Sequence, residues 1–190
     1  MTPEEVEDGR YDLLFSVRRS RRYHMHRQAF FGRFNSAFTF LTTLSGSATF
    51  ASVLAESALW SALLAAVTAV VAAMSFAGQT STRHALHGDL ARKFTGLERD
   101  MIRAGEGIDV EELNDFTARR LEIEMREPPL LRVLNIMCHN EEIMARGLSA
   151  KPLPVKWWQR GMAAFLDLNV HRLLTEEHAA LSPPSSKSPA

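Results

Sequence analysis

Two long stretches without a single ionisable side chain interrupt a chain that is otherwise dense in charge. The first, FNSAFTFLTTLSGSATFASVL, covers 34–54; the second, SALWSALLAAVTAVVAAMSFAGQTST, covers 57–82, and the only charge between them is Glu56. A helix of this length in water carries charge on its wet face, so two adjacent charge-free runs predict membrane spans. At 1.5 Å per residue about 20 residues cross the hydrocarbon, and both runs are long enough. They predict a helical hairpin over 34–82 that turns near Ala55 to Ser57.

Each run has a pattern of its own. In the first, Asn35, Thr39, Thr42, Gly46 and Thr49 recur at spacings of four and three, which places them on one helical face. Such a stripe packs against another helix or lines water. In the second, Ser57, Ser61, Ala65, Ala69, Ala73 and Ala77 fall at every fourth position, and small residues at that spacing let two backbones approach. The expected arrangement puts the small face of the second span in helix contact and the Ser/Thr face of the first in a subunit interface or narrow pore. Packing alone would use the same residues.

The flanks read as amphipathic helix. Thr2, Pro3 and the two following glutamates form a helix start, and 10–31, free of proline and glycine, runs as a helix toward the first span. Beyond the second span, Leu86, Leu90, Phe94, Leu97 and Met101 make one apolar face, so that span is expected to continue as helix to Arg103. AGEGID at 104–109 breaks it, and Asp109 with Glu112 caps a further helix to about Arg126. Pro128 and Pro129 suit the first turn of the next, 130–146, which ends at Gly147. After a linker at 151–154, a last helix runs from Trp157 to about His178. Its Lys156, Trp157, Trp158 and Arg160 suit a membrane-interface anchor, while its apolar side equally suits completion of a bundle. The tail 182–190 is disordered by composition. The fold class is therefore all-α: an N-terminal basic helix (1–33), a two-span hairpin (34–82), a helical bundle (83–150), a C-terminal helix (151–181) and the tail.

Charge sets the orientation. The 190 residues balance 22 basic against 22 acidic side chains, but 10–33 holds seven arginines and only Asp12 as an acid. Arg18, Arg19, Arg21, Arg22, Arg27 and Arg33 precede the first span, and Arg83, Arg92 and Lys93 follow the second. Positive residues remain on the cytoplasmic side, so both ends are expected in the cytoplasm with Glu56 outside. The arginine cluster reads as a topology signal and a contact for anionic headgroups, with no nucleic acid expected. No cleavable signal peptide is expected, because acids, arginines and histidines fill the first 29 residues.

Catalytic chemistry finds little support. Cys138, the lone cysteine, stands beside His139 and Asn140, but consecutive helical residues point about 100° apart and cannot form a relay. A buried thiol and a hydrogen-bonded His or Asn are the expected roles. His84 and His87 share a helical face without a nearby acid or thiol, and His24 and His26 do not share one. No phosphate loop, HExxH or GxSxG occurs, so neither an enzyme nor a metal or cofactor is expected.

The segments SRRYHMHRQAFFGRF (20–34), HGDLARKFTGLERDM (87–101) and RRLEIEMREPPLLRVLNIMCHNEEIMARG (119–147) flank this hairpin. Together the layout resembles the SLATT group of bacterial two-transmembrane proteins over about 11–147. In that group the N-terminal helix carries an R-x-x-Y/H-like basic pattern, and the helices after the hairpin form a cytoplasmic bundle. The resemblance implies an inner-membrane effector of antiphage conflict systems that oligomerises, opens a pore and depolarises or arrests the cell when a sensor protein or small molecule triggers it. These residues show no sensor, nucleotide-synthesising or nucleotide-binding domain. Two further readings stay open: a non-conducting scaffold or superinfection-exclusion protein that binds a cytoplasmic partner, and a holin-like lysis protein.

Overall fold

A computed structural model describes residues 1–55, 57–77, 79–147 and 152–165, with the side chains of 54 and 75–77 left out. The expected places of Glu56 in the hairpin turn, of the last helix beyond Phe165 and of the tail lie outside the described residues. Among those described there are six helices and no strand: α1 (Pro3–Leu54), α2 (Ala58–Ala77), α3 (Thr80–Ala104), α4 (Val110–Glu124), α5 (Arg132–Ala145) and α6 (Trp157–Met162). The chain divides into two compact units: one is Met1–Tyr23 with the residues from Leu90 onward, the other His24–Asp89.

Among the described residues no helix is long and apolar enough to cross a membrane. Hydroxyl, amide and glycine positions dilute the uncharged half of α1. In α2 the described side chains end at Met74, whereas the uncharged sequence continues to Thr82.

Two helix boundaries differ from the sequence expectation. Gly9 does not separate a short N-terminal helix from the next, because α1 runs unbroken for 52 residues. What that position needs is space: a β-carbon there would lie 3.0 Å from Leu113 Cδ2, so glycine lets α1 and α4 approach. The second uncharged run and the helix after it are likewise not continuous. They part before Thr80, where Gln79 takes a φ of 45°, the left-handed region that a β-carbon disfavours.

The capping expectations hold. Glu5 N donates to Thr2 Oγ1 (3.2 Å) while Thr2 N donates to Glu5 Oε2 (2.7 Å). Asp109 and Glu112 make the same reciprocal pair at the start of α4. Pro128 and Pro129 precede α5 rather than opening it, since the helix starts at Arg132.

The first unit buries two apolar clusters. One joins Leu13, Leu14 and Val17 of α1 to Phe94, Leu97 and Met101 of α3 and to Leu113 and Phe116 of α4. Each such side chain, fully buried, contributes about 1.5–3 kcal/mol. The other gathers Tyr23, Val133, Leu134, Ile136, Cys138 and Ala163. Tyr23 Oη accepts the Leu131 N–H at 2.9 Å, so the aromatic anchors the start of α5.

Charge completes this unit in an unexpected place. Glu142, 1 % exposed, receives Arg22 Nε at 2.9 Å and Arg146 Nε at 2.8 Å, with Arg18 Nη1 at 3.9 Å. Glu98, nearly as buried, takes Arg18 Nε at 2.8 Å and Arg21 Nη1 at 2.7 Å. Three of the arginines expected at lipid headgroups thus bind acids of α3 and α5. Removing one partner from such a network leaves uncompensated charge behind. Glu142→Gln is expected to destabilise the fold by roughly 3–5 kcal/mol, read as a lower thermal or urea midpoint, against no change for the exposed control Glu106→Gln. Equal midpoints for the two variants would remove the network as a structural determinant.

Candidate functional site

The second unit, His24–Asp89, is built the wrong way round for water. Among the described side chains of the uncharged arms, from Phe34 to Met74, the one buried is a hydroxyl, Ser45. The large apolar side chains point outward: Phe40, Leu44, Phe50 and Val53 on α1, and Leu59, Trp60, Leu63, Val67, Val70 and Met74 on α2 are all at least half exposed. A contiguous apolar surface of this kind marks contact with a membrane or another protein.

Polar groups join the two arms. Ser52 Oγ and Ser61 Oγ lie 2.9 Å apart, and Thr68 Oγ1 donates to Ser45 Oγ at 2.7 Å. Most hydroxyls of the first arm also turn back on their own helix: Thr39 to the Asn35 carbonyl (2.9 Å), Thr42 to Phe38 (2.7 Å), Thr43 to Thr39 (2.8 Å) and Thr49 to Ser45 (2.7 Å). Each proton is thereby committed to a backbone oxygen. The hydroxyl oxygen keeps lone pairs and presents itself as an acceptor.

The expected stripes divide on this frame. Asn35, Thr42 and Thr49 are half-buried, whereas Thr39 and Gly46 are exposed, and a β-carbon at Gly46 would meet nothing within 4 Å. On α2, Ser61 packs, but Ala65, Ala69 and Ala73 are exposed; the half-buried positions there are Ser61, Leu64, Thr68 and Val71. The side chain of Ala77 lies outside the described residues. Within one chain the arms meet through Ser45 and Ser52 of α1 and Ser61 and Thr68 of α2, and the alanine positions of α2 are left open. Spacing alone could not decide this, since both stripes have helical periodicity.

A cleft of about 540 Å³ opens at the base of the hairpin. Asn35, Thr39, Thr42 and Thr43 of α1 line it with Gln79, Thr80, Ser81 and Thr82, and Phe38 and Ala72 supply its apolar part. It holds six hydroxyls and two amides and no charged group. With the hydroxyl protons of Thr39, Thr42 and Thr43 already donated, its α1 wall offers oxygen acceptors, which suit water or a cation.

Next to the cleft in sequence, α1 and α3 carry a histidine pair that periodicity did not reveal. His24 and His87, both fully buried, face each other with Nδ1 atoms 2.9 Å apart, so one ring donates and the other accepts. Phe31 stacks on His87 with centroids 5.7 Å apart and takes the Arg27 guanidinium over its face at 4.5 Å. His84 goes elsewhere, its Nδ1 2.9 Å from the Gln28 carbonyl. The two histidines considered for a shared metal therefore have separate partners. Gly88 admits the Gln28 side chain, whose Nε2 would lie 2.7 Å from a β-carbon. Arg33, the last arginine before the first arm, is exposed.

Cys138, His139 and Asn140 follow one another on α5, and each has surroundings of its own. Burial, with Glu141 second, pushes the Cys138 thiol up to about 12 against a weaker pull from Arg22 and Arg19, so it stays protonated and is a poor nucleophile. His139 meets the Phe15 ring edge-on at 5.2 Å. Asn140 holds the backbone of Leu153 at both ends, donating to its carbonyl and accepting its N–H, each at 2.8 Å. Asp or Asn followed by a proline-bracketed linker, here PLP at 152–154, is a signal too common to have singled this clamp out.

No protein-family model, curated protein or solved structure matches the chain.

Burial, then the charges of His24, Arg27 and Arg83, lower His87 to about 3 from an ordinary 6.5. Between those values the unfolded chain binds a proton there that the folded chain does not. Stability is therefore complete above pH 6.5 and falls as the pH drops, by up to about 1.4 kcal/mol per unit. His87→Gln is expected to flatten this slope between pH 6.5 and 4.5, measured as the melting midpoint of the purified protein; an unchanged slope assigns the acid sensitivity to other groups.

Proposed function

We propose that the protein is an oligomeric membrane protein of the bacterial inner membrane, whose uncharged hairpin crosses the bilayer and whose hydroxyl-lined cleft forms part of a cation-conducting path controlled by the helices of the first unit. One observation carries the reading: the arms of the hairpin expose their large apolar side chains and bury hydroxyls. In lipid that arrangement suits both kinds of group, because the hydroxyls of Thr39, Thr42, Thr43, Ser45 and Thr49 bond to carbonyls of their own helix while Leu, Val, Phe and Trp meet acyl chains. In water it would leave the largest apolar surface of the molecule exposed.

The spans proposed lie within the uncharged runs, 34–54 and 57–82; α2, at 20 residues, and the uncharged half of α1 each reach the length a bilayer needs. The cationic flanks place both ends in the cytoplasm. A single hairpin cannot enclose a water path without showing polar surface to lipid, so conduction requires several copies. The exposed face at Ala65, Ala69 and Ala73 is suited to that contact because small residues permit close backbone approach. The resemblance to the SLATT group supports the setting, an antiphage effector that arrests the cell when triggered by a sensor protein or a small molecule. The self-satisfied hydroxyls are the observation that favours the rival, a non-conducting scaffold, since a stripe closed on its own carbonyls needs no water.

Ion flux from liposomes containing the purified protein separates the two. A pore passes cations in preference to anions, and Thr39→Val/Thr42→Val/Thr43→Val, which removes the acceptor oxygens while keeping the shape, is expected to reduce flux at least about tenfold, equivalent to about 1.4 kcal/mol on the barrier. Protein that is folded and oligomeric yet passes no ions under any trigger supplied, or that prefers anions, would overturn the conducting path.

A further inference from the structure

The last described helix presents two unlike faces. On one, Gln159 and Ala163 are buried, and Ala163 joins the cluster of Tyr23, Val133 and Leu134, against which Leu153 and Val155 pack. Asn140 clamps Leu153, and Gln159 Oε1 accepts the Lys156 N–H at 2.9 Å. The helix is thus fixed to the first unit. On its other side Trp157 is 86 % exposed, and Trp158, Phe165 and Met162 are each more than two-fifths exposed.

The two indoles, Trp157 and Trp158, are exposed on a fixed helix and suit a partner with a polar and an apolar side, and the charge around them selects it. From 143 to 166 the sequence contains no Asp or Glu, while Lys151, Lys156 and Arg160 lie within it. Lys156 and Arg160 are exposed and have no carboxylate partner among the described residues. Indoles between cations, with no acid to repel phosphate, match the headgroup layer of an anionic bilayer: the rings sit at the boundary, their N–H groups meet polar headgroups, and the cations meet phosphate. An acidic protein could also take up the indoles, and the comparison of anionic with neutral vesicles below separates that partner from a bilayer. We infer that the face of Trp157, Trp158 and Met162 docks on anionic lipid, giving the first unit a membrane contact of its own, distinct from the hairpin. The inference rests on the hairpin reading for its tether, which keeps this face at high effective concentration near a bilayer, so that weak docking becomes effective.

The three tryptophans, Trp60, Trp157 and Trp158, allow both contacts to be read separately in the full chain. In the Trp60→Phe protein, reconstituted into vesicles of phosphatidylcholine with phosphatidylglycerol, emission comes only from Trp157 and Trp158. It is expected to shift to the blue and to lose most of its intensity when the lipids carry bromine close to the headgroup. In phosphatidylcholine alone, in high salt, or in the Lys156→Gln/Arg160→Gln variant, the quenching is expected to be largely lost. No bromine quenching in either lipid overturns the inference, as does quenching indifferent to lipid charge. So does protection from aqueous quencher that disappears when 166–190 are removed, which would make this chain's own C-terminal residues the occupant. The Trp157→Phe/Trp158→Phe protein tests the hairpin independently, through quenching of Trp60 by bromine deep in the acyl chains. Quenching at 157 and 158 without quenching at 60 would sink the hairpin and leave the docking face.

Discussion

The carboxylate of Glu142 is the constraint around which the first unit is organised. A charge that is 1 % exposed persists only where cations and hydrogen bonds replace its water, and here two guanidiniums reach it directly from α1 and from its own helix. Arg18 then extends the arrangement to Glu98, which also holds Arg21. Because Arg18 and Arg22 are one helical turn apart, the network fixes which face of α1 meets α5 and which meets α3. The apolar residues of α1 follow from that choice, with Leu13, Leu14 and Val17 turned into the cluster shared with α3 and α4. Hydrophobic burial supplies most of the stability; the ion pairs select one rotation of α1 among several that would bury similar area.

The hairpin solves the opposite problem. Its arms have too little charge for a wet face and too many hydroxyls for an ordinary apolar core, and each property is matched by where the side chains lie. Thr and Ser donate to carbonyls three or four residues back and to each other across the arms, so the protons of Thr43, Thr49, Ser52 and Thr68 need no solvent partner. The same geometry leaves acceptor oxygens in the cleft, which is why a polar stripe built for packing can also tolerate a cation. Packing and conduction are therefore compatible readings of one set of residues, separated only by how copies of the hairpin assemble.

Much of the secondary structure was legible in the sequence because caps and periodicity are local. Thr2 with Glu5, Asp109 with Glu112, and the row Leu90, Phe94, Leu97, Met101 lie where spacing places them, and all four of that row are buried. Leu86, in the same row, is exposed, since helical phase says nothing about where a core ends. Long-range electrostatics were not legible. Arg18, Arg21 and Arg22 read as lipid contacts because they precede an uncharged run, and their acids lie about 80 to 120 residues away in sequence. The His24–His87 contact was hidden for the same reason, being 63 residues apart and on different helices. Gly9, inside α1, is a point of close approach to Leu113, where tertiary packing overrides the low helix propensity of glycine.

In the proposed mechanism these long-range contacts also decide how a trigger could act. The chain passes between the two units twice, at Tyr23–His24 within α1 and at Asp89–Leu90 within α3. Both crossings lie inside helices rather than loops. The contacts that set the rotation of α1 and α3 flank those crossings: Arg21 and Arg22 with their acids on one side, and His24 with His87 on the other. A ligand need not break the fold to shift that balance. It need only bind one rotational state better than the other, and a differential affinity of a few kcal/mol moves a two-state population from mostly closed to mostly open. Ion pairs and a shared imidazole hydrogen bond have energies of that order, whereas the apolar clusters beneath them are worth several times more and keep the unit folded while the balance moves.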